Sequence, residues 1–264
     1  MAILASRTKT GISWISESIA LFKQSPRKWL LLASAYLGLF VLLPSIPGLQ
    51  IFAFVTILIW PIFIVVAMRL YRNVEFNKEE TLSSIMQLIQ PNIRKLLMLG
   101  FVNLFYFILV SILLSADMQA LAEILDKKNQ LSDQEMIAAL QSMMPVFLKL
   151  VVLFIPLMMA GWFAPMLIAF NNYSLVKAIK SSIAGSLQHL IAMIAAWLLL
   201  SAGMMTLMMF ASVLVGLFAM MIPTIAQSLV TALVFGCFLV SIALTLAFQY
   251  VSYRDVFRAA GTTA

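Results

Sequence analysis

The chain's one histidine, His189, follows Ser186 by three residues, the spacing at which a nucleophile and its base would first be sought. Two positions on one helix run side by side, whereas nucleophilic catalysis needs the hydroxyl and the base to converge with an oxyanion site beside them. No catalytic residue is therefore assigned. The one cysteine, Cys237, lies inside an apolar run and is read as a small packing residue. Alone it forms no internal disulfide, and neither it nor His189 has the neighbouring ligands a metal site requires. Met204, Met205, Met208 and Met209 gather thioethers of a kind that suits Cu(I). With no cysteine or histidine among them, they are read as adaptable apolar filler. No metal and no cofactor are expected.

An acidic, basic or histidine side chain deep in a long apolar segment would mark an ion or proton pathway, because lipid makes such a group costly. None is found away from the segment edges: Lys149, Arg69 and His189 all sit at ends. The most polar deep residue is Asn103, for which a hydrogen bond across helices is preferred over a substrate contact. Pro156 and Pro165 could interrupt a helix around a midplane site. Ser34/Gly38, Ala160/Ala164, Ala192/Ala196 and Ser212/Gly216 place small residues four apart, which permits close helix approach.

The elements that hold these residues follow from composition. A chain of 264 residues that is 63% hydrophobic and 10% charged cannot hide its apolar surface in a water-soluble core. Lipid must be its solvent. Apolar runs able to cross a hydrocarbon core fall at 29–43, 49–68, 96–115, 146–170, 190–215 and 227–250. The break Pro44-Ser45-Ile46-Pro47-Gly48 divides the first two. The expected fold is all-α: one membrane domain over 1–264, with six transmembrane helices in three hairpins at 28–68, 96–170 and 190–250. Fourteen of the 17 basic residues fall on one side of these spans, which predicts both termini in the cytoplasm. The net charge of +7 is thus read as topology, not as a nucleic-acid surface. The first apolar run starts only near Trp29, so no cleavable leader is expected.

The loop 116–145 is acidic and is predicted to form two short helices joined near Asn129, the second opened by Ser132-Asp133-Gln134-Glu135. Each hairpin is preceded by a segment that reads as an interfacial amphipathic helix. The stripes are Ile12, Ile15, Ile19 and Phe22, then Leu82, Ile85 and Ile89, then Val176, Ile179, Ile183 and Leu187. Asn77 with Glu80 caps the second, and Ser174 the third. Similar closures, Ala67 to Tyr71, Ala169 to Tyr173 and Ala247 to Tyr250, suggest an internal repeat. Arg27-Lys28 and Arg94-Lys95 at the first two junctions suit anionic headgroups. Gln188-His189 replaces them at the third, which should be held by protein contacts instead.

Gly11, Trp14-Ile15, Ala20-Leu21-Phe22, Pro26 and Trp29 resemble the opening motif of an uncharacterised family of proteobacterial inner-membrane proteins with this layout. The helix-plus-hairpin unit is also similar, in layout alone, to the membrane domain of some glycerophosphodiester phosphodiesterases. The first resemblance implies a bacterial inner-membrane protein with no catalytic residue to carry over, and the second does not imply the phosphodiesterase activity. The expected role is a non-enzymatic scaffold or assembly factor in the cell envelope. Its partners would be the bilayer, anionic headgroups at the inner face and a possible membrane protein, but no nucleic acid. The alternative is a transporter or channel for an apolar or zwitterionic solute.

Overall fold

In the computed structural model, residues 2–126, 133–221 and 223–258 are described, and among them there is no strand. Helix α1 spans Ala2–Gln24 and α2 Pro26–Leu37, which continues through a π-helical turn, Gly38–Leu42, into α3, Leu43–Ser45. Then come α4 Phe52–Glu75, α5 Leu82–Ile89, α6 Ile93–Leu113, α7 Ser115–Asp126, α8 Asp133–Asn171, α9 Leu175–Gln188, α10 Leu190–Met221 and α11 Pro223–Arg258. Among the described residues, six helical segments are long and apolar enough to cross a membrane: Pro26–Ser45, Phe52–Glu75, Leu82–Leu113, Met143–Asn171, Leu190–Phe218 and Ser228–Phe257. Each contains most of one expected span. The chain is an all-α, multi-pass membrane helix bundle.

The loop 116–145 departs from expectation. Its first part is helical as α7, but the second is no separate helix: α8 runs from Asp133 through Pro145 into the fourth span. A proline inside a helix removes one amide donor, yet the apolar residues beyond it carry the helix onward. The capping serine Ser132 and the junction at Asn129 lie outside the described residues.

The caps also differ. Helix α5 is capped by Thr81, whose hydroxyl accepts from the Ser84 amide, not by Asn77 and Glu80. Asn77 has a left-handed φ of 50° that turns the chain, and Glu80 is occupied elsewhere. Ser174 stands at the N-cap position of α9 without a side-chain bond there.

Helices α1 and α9 meet the bundle by faces rotated from the expected stripes. Helix α1 buries Trp14, Ile15, Ser18 and Leu21, while Ile12 and Ile19 stay exposed. Gly11 explains the rotation: a methyl there would collide with the Ala192 carbonyl, so only a bare backbone lets α1 lie this close to α10. The indole of Trp14 also buries more apolar surface than an isoleucine could. Helix α9 buries Ala178, Ser182, Gly185 and Ser186 against its neighbours and leaves Val176 and Leu187 exposed. Only α5 buries the expected Ile85 and Ile89, again with Leu82 exposed.

The core is concentrated at the end of the bundle where α1, α5 and α9 join the spans. There α4 contributes Ile64, Val65, Ala67, Met68 and Tyr71, α8 the stretch from Trp162 to Ile168, and α11 the stretch from Ala243 to Tyr253. Helix α11 is central, touching α1, α2, α4, α8 and α10. Toward the other end the helices separate. Between Phe147 and Ala160 no residue of α8 is buried, and α10 beyond Ser201 buries only Ala211 and Val215 among the described residues.

Candidate functional site

Three polar arrangements lock the packed end. Arg254 of α11 pairs with Glu75 at the end of α4 and with Glu17 of α1, and the Tyr250 hydroxyl also donates to Glu75. One turn away, Trp14 Nε1 donates to Asp255 at 2.8 Å. In the second arrangement Arg69 grips Glu80 with two bonds of 2.8 and 2.6 Å, and Asn73 adds a third at 3.1 Å. The guanidinium bonded to Glu80 holds its carboxyl below the usual carboxylate range. In the third, Lys95 donates to Asn92 and Asn172, while the Tyr253 hydroxyl donates to Asn171. Of the residues expected to close the repeat units, Arg69, Asn171, Asn172 and Tyr250 take part in these arrangements.

Aromatic rings continue the lock inward. Trp29 stacks on Tyr71 with centroids 3.8 Å apart, donates its indole N–H to the Leu21 carbonyl, and so ties the end of α1 to α4. Tyr71 donates to the Ala243 carbonyl of α11 at 2.8 Å. The third junction, which lacks two permanent charges, makes contacts within the protein, as do the first two. Arg7 Nη1 reaches the Gln188 carbonyl at 2.7 Å, and the Trp14 ring lies 6.3 Å from that of His189.

Helix α8 carries Pro156 and Pro165 yet runs on without interruption. The Ser182 hydroxyl from α9 bridges one turn of it from outside, accepting from the Phe163 amide at 3.0 Å and donating to the Met159 carbonyl at 2.7 Å. These two backbone groups are i and i+4 partners in an α-helix, so the hydroxyl adds a second bond to each. Beside it, Gln249 of α11 donates to the Trp162 carbonyl at 2.8 Å and the Trp162 indole donates to Ser252 at 3.2 Å.

Beside this part of α8 lies a cavity of about 370 Å³, lined from α2 by Tyr36, from the π turn by Phe40, and from α4 by Thr56, Ile57 and Trp60. Helix α6 contributes Asn103 and Phe107, and α8 contributes Leu157, Met158, Gly161 and Trp162. Helices α4 and α6 are brought together just below it at Gly100, where a methyl would collide with the Leu58 carbonyl. Asn103 is 8% exposed, and no protein group among the described residues hydrogen-bonds its amide. The bond across helices expected for it is absent, and the amide faces the cavity instead.

The remaining candidates are not brought together. His189 Nδ1 is 3.1 Å from the Gly185 carbonyl, while Ser186 Oγ is fully buried and has no partner. Met204 lines a groove between α1 and α10, whereas Met208 and Met209 line another between α10 and α11, so the thioethers diverge. Cys237 is buried and free. Ala192 and Ala196 are buried at a close helix approach, but Gly38 and Gly216 face open space. Lys149 pairs with Asp117 of α7 at 3.0 Å, a contact between the fourth span and the loop. No family model, curated protein or solved structure matches the chain.

Proposed function

We propose that this protein is a non-enzymatic scaffold or assembly factor of a bacterial inner membrane, with both termini in the cytoplasm. The carrying observation is the contrast between its two ends. One end is interlocked by ion pairs, stacked rings and buried hydrogen bonds. Toward the other, α6, α8 and α10 present large apolar side chains that the chain itself does not cover, among them Phe105, Phe147 and Met209. Such surface can meet acyl chains or a neighbouring transmembrane helix, and loose packing leaves room for lateral contact. Exposed Lys9, Lys23, Arg27, Lys28, Lys78, Arg94, Lys177 and Lys180 around the locked end suit anionic headgroups. The resemblance of the stretch from Gly11 to Trp29 supports the same membrane.

Photo-crosslinking in cells tests the scaffold. A photoreactive residue at Phe105, Phe147 or Met209 should give a discrete protein adduct from one of these faces and lipid adducts from the others. Lipid adducts alone from all three would refute it. A carrier of an apolar or zwitterionic solute is the second reading, favoured by the cavity beside α8, a helix that carries Pro156 and Pro165. Solute movement by the purified protein in vesicles would support it.

A further inference from the structure

We propose that the cavity between α2, α4, α6 and α8 is a binding site for a neutral lipid-soluble molecule with a flat, carbonyl-bearing ring, of the quinone class. Its volume of about 370 Å³ is small-molecule sized. No charged side chain lines it, which disfavours an ionised ligand. Five rings do line it, those of Tyr36, Phe40, Trp60, Phe107 and Trp162, and they offer stacking faces to another flat ring.

The polar inventory narrows the choice further. Thr56 spends its hydroxyl proton on the Ala53 carbonyl and Trp162 its indole proton on Ser252, while the Trp60 indole serves Tyr36. What remains is the Tyr36 hydroxyl proton and the carboxamide of Asn103, a residue more than nine-tenths buried whose amide no protein group among the described residues meets. A buried polar group without a partner costs about 1–3 kcal/mol, so a residue of this kind at the middle of α6 is explained by a ligand that meets it. Its amide N–H would donate to a ring carbonyl, and its own carbonyl could accept from a ring hydroxyl. The ligand's apolar tail would leave between the separated helices toward the acyl layer.

The test uses the whole protein in phosphatidylcholine nanodiscs, titrated with decylubiquinone while tryptophan emission is followed, since Trp60 and Trp162 line the site. Quenching should contain a saturable component above the linear background from probe dissolved in lipid. Asn103→Leu should weaken that component about tenfold, the effect of losing roughly one buried hydrogen bond. Without probe the same variant should melt no lower than the parent, because it removes an unmet amide; a residue serving only to pack helices would melt lower. At Gly161 an added methyl would lie 3.6 Å from the Trp60 ring, an ordinary contact. Gly161→Ala should therefore keep the saturable component, and Gly161→Leu, which reaches into the cavity, should abolish it. The assignment is overturned if the parent shows no saturable quenching, or if Asn103→Leu binds as the parent does. It is also overturned if monooleoylglycerol displaces the probe as well as a second quinone does, which would give the cavity to an acyl chain.

Discussion

Replacing Ser182 by alanine should cost stability where the same deletion one turn away does not. Ser182 is fully buried, and its hydroxyl meets both the Phe163 amide and the Met159 carbonyl. Those two groups keep their place in the continuous helix α8, so Ser182→Ala loses only the bonds of the bridging hydroxyl, about 1–2 kcal/mol, with Ser182→Thr retaining most of it. The control lies one turn along the same helix. Ser186 is equally buried, but its hydroxyl has no partner. Deleting it removes an unmet polar atom, so Ser186→Ala should be neutral or stabilising. Both variants would be followed by unfolding in a mild detergent. Equal effects at the two positions, or a Ser182→Ala loss below about 0.5 kcal/mol, the scale of an ordinary surface change, would show that the bridging hydroxyl is dispensable.

Gly11→Ala gains about 1 kcal/mol of intrinsic helix propensity but collides with the Ala192 backbone, so it should lower the melting temperature. Gly203→Ala, which meets open space, should raise it in the same assay. Arg69 holds the Glu80 carboxyl below its usual range, so the pair contributes in full above the unfolded value of about 4.3 and is lost as pH falls through the lower folded value. Glu80→Gln should be less stable at neutral pH and decline less steeply in a series of melts taken below that point. Alkaline phosphatase fused at Asn129 should be active and fusions at Lys78 and Lys180 inactive; activity at Lys78 or Lys180 would reverse the proposed orientation.

The architecture was legible because lipid imposes a coarse rule. A span must be long and apolar, and no packing detail is needed to see one. The helix faces were less legible, for a reason the glycines expose. An apolar stripe such as Ile12, Ile15 and Ile19 predicts burial when water is the alternative, but at a bilayer edge Ile12 and Ile19 can be left to lipid. The groove they line with Leu199, Leu200 and Leu207 is apolar apart from Ser16. What decides the face turned inward is then closeness of approach and hydrogen bonding. Gly11 with Trp14 settles it for α1, and Gly185 with Ser182 for α9.

The residues that fasten the bundle had weaker signals still. Arg254 lies far along the chain from Glu17 and Glu75, and nothing local marks the three as one cluster. The repeated closures did single out Tyr71 and Tyr250, because a tyrosine at the end of a span can pack its ring and place its hydroxyl on a backbone or carboxylate partner. Asn103 was visible as the one deep amide, and bonding to another helix was the natural expectation in lipid. That expectation assumes a helix within reach. Here α4 and α6 close up at Gly100, and the space beside Asn103 is a cavity, with no protein partner for its amide among the described residues. A polar group that neighbouring helices could have satisfied, set in a cavity walled by five rings, is better accounted for by binding a ligand there than by packing between helices.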